Sequence, residues 1–174
     1  ENKPGRPNFK NFNALLGDHV TVTAENRFAV YFRVEDAVGN YVYLCSDGAI
    51  IDNTDVIIDV IPEAANENGI YGLSYQGSVD VDIKVNEDPG DGNTYSGIKS
   101  VEYWLVLDGV AGEHINLFTF ENDAPVYADL IANWNTTISV DTAAYNSCDV
   151  EVVVQAVDNA GNTTTNSAKL DIDV

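Results

Sequence analysis

Carboxylates are the side chains of this sequence that could most readily bind a metal ion, and several of them lie in one loop. Residues 86–93 read NEDPGDGN, which places several hard oxygen ligands of the kind that calcium accepts within eight positions. The spacing does not match the D-x-[DN]-x-[DN]-G pattern of a calcium loop. A solvated turn is therefore the favoured interpretation of 86–93, and calcium binding by this loop stays open as the alternative.

Two other groups of acidic residues could also bind a metal ion. Asp36 and Asp158 each begin a D-x-x-G-N segment, where an Asp side chain can accept hydrogen bonds from the turn backbone. A structural turn explains both residues better than a ligand role does. Asp52, Asp55 and Asp59 lie in a linker and could bridge two modules through a metal, which ranks below the loop as a hypothesis. We therefore predict no metal or cofactor site.

Nucleophilic catalysis needs a nucleophile, a base and an orienting group, and the sequence offers no such set. The segment 72–77, GLSYQG, is one residue too long for a G-x-S-x-G elbow and is predicted to be a loop. His19 and His114 are predicted surface residues at strand starts in different units, so a shared metal or triad is not expected. No two of the 28 acids stand out as a glycosidase pair. The chain is predicted not to be an enzyme.

Charge and composition limit the classes of partner. The 174 residues carry 28 acidic and 8 basic side chains, a formal net charge of −20, which argues against nucleic acid or an anionic membrane. No run of 18 apolar residues occurs, so no membrane insertion is predicted. Cys45 and Cys148 are too few for a disulfide framework, and we predict that they do not pair. Acidity, few Lys, and many Asn, Thr, Gly and Tyr favour an extracellular bacterial location.

The elements that position these acids become visible through an internal repeat. Residues 28–40, FAVYFRVEDAVGN, match residues 150–162, VEVVVQAVDNAGN, at a spacing of 122 positions. Asp36 aligns with Asp158, and the alternating apolar positions of the two segments coincide. One β-hairpin has been copied, which predicts two units: residues 1–56 as the C-terminal part of a truncated repeat, and 57–174 as a complete one.

Within the second unit the hydrophobic period is two, as in half-buried strands. The predicted strands are 56–61, 78–85, 98–107, 114–120, 136–141, 149–157 and 165–173. Seven such strands predict an antiparallel β-sandwich. Asp123 as a cap, Pro125 in a first turn and apolar residues at helical spacing up to Trp134 predict one short helix over 124–133.

Alternation along the third of these strands predicts which face of the sheet each aromatic residue lies on. Tyr103 shares its face with Val101 and Leu105, so it is predicted to point inward, while Trp104 points outward beside Glu102 or under the crossover 108–135. Trp134 is predicted to anchor the short helix to the sheet.

The D-x-A-G-N hairpin at 158–162, the stretch SGIKSVEYWL and the linker IIDNT together resemble the bacterial immunoglobulin-like repeats of large surface and adhesin-type proteins. The resemblance covers the second unit and the tail of the first, 19–55. It implies an all-β, immunoglobulin-like antiparallel β-sandwich that serves as a stalk or display module, and it implies no catalytic residues. The chain lacks the strand-to-strand Cys pair of many immunoglobulin domains, and its crossover 108–135 is more elaborate than that of a minimal repeat.

Two functions follow as hypotheses. The first is a non-catalytic structural or adhesive module of a large bacterial cell-surface or secreted protein, whose partners are neighbouring repeats and a host or cell-surface glycan or protein. The alternative is a carbohydrate-binding β-sandwich accessory to a glycoside hydrolase, which would use Trp104 and surface tyrosines such as Tyr95 and Tyr127.

The first unit carries a separate prediction about association. Segments 19–23, 27–35 and 41–51 supply only the final strands of a sandwich, with Phe28, Val30, Phe32 and Val34 on an apolar face. Such a face, together with unpaired strand edges, favours association. Either residues 1–18 and the second unit cover this face, or another copy of the chain does. A weak homodimer is expected, because the polar start of the chain is too short to replace a sheet.

Overall fold

A computed structural model describes residues 26–46, 48–63, 74–75, 78–87, 95–122, 129–145 and 149–172. Their regular structure is almost entirely β. The strands are β1 (Asn26–Phe28), β2 (Tyr31–Glu35), β3 (Tyr41–Cys45), β4 (Ala49–Ile51), β5 (Ile57–Pro62), β6 (Ser74–Tyr75), β7 (Ser78–Asn86), β8 (Ile98–Leu107), β9 (Val110–Ala111), β10 (Ile115–Thr119), β11 (Asn133–Asp141), β12 (Val150–Asp158) and β13 (Thr163–Ile172). A four-residue 3-10 helix, Thr142–Tyr145, follows β11.

Residues 57–172 form two sheets around one core. The larger sheet has the order β10-β8-β12-β13-β6, with β9 paired to β8, and the smaller has the order β11-β7-β5. Every pairing is antiparallel except that of β13 with β6. Both sheets contribute to a single hydrophobic core, as in a β-sandwich. Its most buried large side chains include Ile83 of β7 and Ile98 of β8.

Alternation along the strands explains why these segments pack as they do. In β7, Val79, Val81, Ile83 and Val85 are buried while the residues between them are exposed. In β12 the same period places Val152, Val154 and Ala156 in the core at 0% exposure. Val56 lies just outside the predicted boundary of the second unit, yet it is 1% exposed and belongs to this core. The core therefore includes the residue that directly precedes β5.

All seven strands predicted for the second unit are present, and β8 has the predicted bounds. Two other predictions in this unit are wrong. Ser74 and Tyr75, predicted to lie in a loop, form the short strand β6 beside β13. Residues 124–128 of the helix predicted over 124–133 lie outside the described residues, and the rest of that prediction is wrong: only Asp129 is in a 3-10 conformation, residues 130–132 are not helical and β11 begins at Asn133.

Trp134 shows why the helical pattern misled. It lies in β11, where Trp134, Thr136, Ile138 and Val140 alternate with exposed residues, and it packs against the core beside Phe118 at a ring-centroid distance of 5.7 Å. Its spacing from Leu130 and Ile131 fits a helical face only by coincidence. The inward orientation of Tyr103 is confirmed, since Tyr103 packs against the core.

The described part of the first unit forms an interrupted hairpin. β2 pairs with β3, and β1 pairs with β4. The predicted strands 27–35 and 41–51 are each split, because the Ser46 hydroxyl accepts a hydrogen bond from Val30 N at 2.9 Å and Gly48 adopts a positive φ of 106°. The predicted segment 19–23 lies outside the described residues.

Cys45 is a free, exposed cysteine at the end of β3, while Cys148 lies outside the described residues. In the described part of the chain, no helix has the length and apolar character needed to cross a membrane.

Candidate functional site: a buried group of three carboxylates

The copied hairpin has the same turn in both units. Asp36 accepts hydrogen bonds from Asn40 N at 2.9 Å and Asn40 Nδ2 at 2.8 Å, and Asp158 accepts them from Asn162 N at 2.8 Å and Asn162 Nδ2 at 2.7 Å. Gly39 and Gly161 have φ angles of 91° and 94°, a region that Gly adopts without strain. The prediction that this motif forms a structural turn is thus confirmed for the local geometry of both copies.

The two turns differ in burial. Asp36 is exposed, whereas Asp158 is 0% exposed because two other segments cover it. The linker approaches from one side, where Asn162 Nδ2 donates to the Asp52 carbonyl oxygen at 3.1 Å. The loop before β8 approaches from the other, where Asn159 Nδ2 donates to the Gly97 carbonyl oxygen at 2.9 Å. Burial of Asp158 is therefore a tertiary property that its motif does not contain.

Ser96 connects the segments that meet at this turn. Its backbone N–H is shared between Asp52 Oδ2 at 2.8 Å and Glu87 Oε1 at 2.9 Å. Its hydroxyl donates to Glu87 Oε1 at 3.0 Å and accepts a hydrogen bond from Ala160 N at 3.1 Å. Gly97 beside it has φ 91°, and a Cβ there would lie 3.0 Å from the Leu130 Cβ. The same Cβ would lie 3.2 Å from Asn159 Nδ2 of the hairpin turn, so the loop fits closely against both Leu130 and the turn only with Gly at 97.

Asp52, Glu87 and Asp158 form what we call the acid trio. One carboxylate oxygen from each lies within 4.8 Å of the other two, and the residues are 5%, 1% and 0% exposed. Asp52 Oδ1 accepts from Thr54 N at 2.9 Å, so each residue has at least one hydrogen-bonded oxygen. Glu87 Oε2 is buried and has no hydrogen-bond partner among the described residues. Ionised Glu87 therefore leaves one oxygen of the trio without a partner, whereas protonated Glu87 can donate a hydrogen bond to Asp52.

The proton affinities of two members diverge. Burial is the main cause that raises the pKa of Glu87, to about 7, and the neighbouring Asp52 carboxyl and the charge of Asp158 raise it further. Burial also acts to raise the pKa of Asp52, but hydrogen bonds from Thr54, Glu87 and Ser96 outweigh it and leave that pKa below its ordinary value. Near neutral pH, Asp52 is thus ionised while Glu87 is poised between its neutral and charged forms.

The trio suits ion or proton binding better than turnover of a substrate. Three carboxylates supply hard oxygen donors only, the ligand type of calcium and magnesium. A pair of carboxyls with divergent pKa values can also share a proton. Side chains that are at most 5% exposed offer no surface on which a substrate could place a reacting atom.

The structure brings together one member from each of three predicted acid groups: the linker, the loop 86–93 and the second hairpin turn. Asp55 and Asp59 of the linker are exposed and lie outside the trio, and residues 88–93 of the loop lie outside the described residues. The prediction that the loop is a solvated turn is wrong for Glu87, which is buried.

A signal for two members was present in the sequence. Glu87 continues the inward series Val81, Ile83, Val85 by two positions, and Asp158 continues the inward series of β12 in the same way. Carboxylates that extend a buried alternation are candidates for a buried polar site.

The predicted aromatic candidates lie elsewhere. Trp104 lies on the outward face, where the His114 ring stacks on it at 4.1 Å with an interplanar angle of 5°. His114 is exposed, as predicted, and its Nδ1 lies 2.9 Å from Glu102 Oε1. Tyr95 is half-buried, and Tyr127 and His19 lie outside the described residues. The outward orientation of Trp104 under the crossover is thus confirmed.

A scan against protein-family models finds no match to the chain, and a search of curated proteins finds none either.

Proposed function

We propose that the chain is a non-catalytic, immunoglobulin-like structural or adhesive module of a large bacterial cell-surface or secreted protein. The observation that carries this proposal is the duplicated hairpin. Two turns 122 residues apart share the same four side-chain and backbone hydrogen bonds and the same positive φ at Gly. Serial copies of one supersecondary unit are typical of repeat proteins, in which each unit mainly contacts its neighbours.

The strand order supports the immunoglobulin-like part of the proposal. With β5, β7 and β11 taken as strands A, B and E, and with β8, β10, β12 and β13 as C, C′, F and G, the sheets are E-B-A and C′-C-F-G. Apart from the short β6 beside G, this grouping resembles that of immunoglobulin sandwiches and supports the proposal. The strands β7 and β12, which correspond to B and F, carry no cysteine and pack through valine, isoleucine and alanine instead.

The first hairpin supports the idea of a neighbouring repeat. Phe32 and Val34 align with Val154 and Ala156, which are 0% exposed beneath the smaller sheet. Phe32 itself is 45% exposed and Val34 is 53% exposed. Leu44, which pairs with Phe32 across the hairpin, is also 53% exposed. This contrast is expected if residues 1–56 are the C-terminal part of a repeat whose other sheet is supplied elsewhere. We propose that a second copy of the chain covers this face in solution.

Self-association through this face can be measured by light scattering after size-exclusion chromatography. We expect the average mass to rise toward a dimer with concentration, and the double variant Phe32→Ser/Leu44→Ser to stay monomeric. Tyr41→Ser, on the opposite face of the same hairpin, is the control and should still associate. A monomer at every concentration, with protected amides at Phe32 and Val34, would show that the cover is intramolecular.

One observation favours the alternative, a carbohydrate-binding sandwich. Trp104 lies on an outer sheet face beside an exposed histidine and Glu102, and aromatic rings on such faces can stack on sugars. The His114 ring already stacks on one face of the indole. The free aromatic surface is thus smaller than Trp104 alone would offer, so the structural module is the leading proposal.

Glycan-array binding, followed by calorimetry of any hit, separates the two functions. We expect no glycan to bind with submillimolar affinity through Trp104, so that Trp104→Ala binds no differently from the unchanged protein. The variant His114→Ala, which uncovers the indole, is a sensitised control for weak stacking. Submillimolar binding that disappears in Trp104→Ala would support the carbohydrate-binding function and contradict a pure spacer.

A further inference from the structure

The acid trio has an unbalanced charge. Three carboxylates lie within 4.8 Å of one another, and within the described ranges no Lys, Arg or His forms an ion pair with any of them. A buried carboxylate is stable only when a counter-charge, a metal or a proton compensates it. Hydrogen bonds from Ser96, Thr54 and Asn162 compensate part of this charge but carry no full positive charge themselves.

Glu87 Oε2 is the second observation, and it is independent of the acidic character of the cluster. Glu87 is 1% exposed, and its Oε1 is held by Ser96, while Oε2 has no partner among the described residues. Buried oxygens without a partner are rare in folded proteins and point to an absent ion, water or proton. The fixed Oε1 leaves Oε2 as the oxygen that is available to a ligand.

We infer that Asp52, Glu87 and Asp158 bind one calcium ion, with Glu87 Oε2 as one of its ligands. This site goes beyond the proposed structural role and is independent of it. Oxygens bound to calcium at 2.3–2.6 Å lie up to about 5 Å apart, which the 4.8 Å limit of the trio satisfies. Because a carboxylate can bind calcium through one or both oxygens, the trio can supply three to six of the six to eight ligands of the ion.

The chemistry of the trio favours calcium over other cations. It contains no His or Cys, the ligands that select zinc and copper. Magnesium keeps several of its waters and requires a near-octahedral shell, which a site with side chains at 0–5% exposure accommodates poorly. Calcium accepts irregular shells of carboxylates, so it is the divalent cation that this geometry fits best.

Calcium would join three segments that are distant in sequence. Asp52 belongs to the linker that follows β4, Glu87 follows β7, and Asp158 ends β12. The ion would thus fix the linker to the end of the second unit, where Asn162 already holds the Asp52 carbonyl. Bound calcium is therefore expected to order the path of the chain between the two units.

Isothermal titration calorimetry and thermal unfolding of the chelator-treated protein test the inference at pH 8 and fixed ionic strength. Fixed ionic strength is essential because the net charge of −20 attracts any cation. We expect one calcium to bind with a dissociation constant of about 10⁻⁴ M or tighter, and magnesium to bind at least about tenfold more weakly. The melting temperature should rise on calcium addition.

Glu87→Gln removes one ligand charge while it preserves shape, and Asp55→Asn is the matched control because Asp55 is exposed in the same linker. Glu87→Gln should bind calcium at least about tenfold more weakly and lose the rise in melting temperature, while Asp55→Asn keeps both. Without calcium, Glu87→Gln should melt no lower than the unchanged protein, which shows that it is folded.

The site would be overturned by no calorimetric binding, by an equal response to magnesium, or by a calcium response that Glu87→Gln retains. Absence of binding would indicate that Oε2 carries a proton shared with Asp52. The other two results would indicate that calcium only screens the charge of the protein. A calcium response lost in both Glu87→Gln and Asp55→Asn would likewise contradict the trio as its location. Failure of this test leaves the proposed structural function untouched, since that function rests on the repeated hairpin.

Discussion

Replacing Asp158 by alanine is expected to lower the free energy of unfolding by about 2 to 3 kcal/mol. Asp158 is 0% exposed and accepts two hydrogen bonds from Asn162. Alanine would leave both donors without an acceptor in a place that water cannot easily reach. The hairpin turn would then lose the contacts that hold it against Ser96 and the linker.

Denaturant unfolding followed by tryptophan fluorescence measures this loss, because Trp104 and Trp134 both belong to the second unit. Asp82→Ala is the control within that unit: the Asp82 carboxylate accepts a hydrogen bond from Thr137 at 2.7 Å, but it is exposed. Water can replace its partner, so we expect a loss of less than about 1 kcal/mol. Equal losses in the two variants would mean that the buried turn has no special role in stability.

In the absence of calcium, the protein should become less stable as the pH rises through neutrality. The pKa of Glu87 is raised to about 7 in the folded state from 4.5, so between these values the folded protein holds a proton that the unfolded chain releases. The stability from this proton is fully present below pH 4.5 and is lost as the pH rises through 7. From pH 5.5 to 8.5 the loss amounts to about 2 kcal/mol.

Chemical denaturation in chelator at several pH values between 5.5 and 8.5 measures this dependence. Glu87→Gln cannot ionise and should show a nearly flat profile over the same range, which separates Glu87 from the histidines and from general charge repulsion. Asp52 acts at the other end of the scale: its lowered pKa stabilises the fold above pH 4, and this contribution is lost as the pH falls further. A profile that is equally steep in Glu87→Gln would contradict the assignment of the raised pKa to Glu87.

Strand patterns in this sequence were readable because each strand has one face in the core. The alternation in β7 and β12 is strict, so their existence and inward residues follow from period two alone. The helix over 124–133 failed because Leu130, Ile131 and Trp134 happen to fit period 3.6 over too few residues, while the strand that contains Trp134 continues to Asp141. The short strand β6 carries too few residues for any period.

The acid trio was not predictable as a unit because its members are brought together by tertiary contacts. Asp52 and Asp158 are 106 positions apart, and Ser96, which links Asp52 to Glu87, begins the stretch SGIKSVEYWL, which carries no ligand pattern. Sequence spacing predicts only contacts between residues that are close in the chain, such as the turn at Asp158. What the local pattern did contain was the inward register of Glu87 and Asp158.

The hydrogen bonds between the last strand region and the start of the second unit determine how much length each unit adds to the chain. Asn162 donates to the Asp52 carbonyl and Asn166 to the Ile58 carbonyl, so the first and last strands of the unit run in the same direction. The chain thus enters at one end of the sandwich and leaves at the other, after a last strand of ten residues or about 33 Å. Units joined in this way add their lengths, so each further copy would extend the polypeptide by a near-constant step.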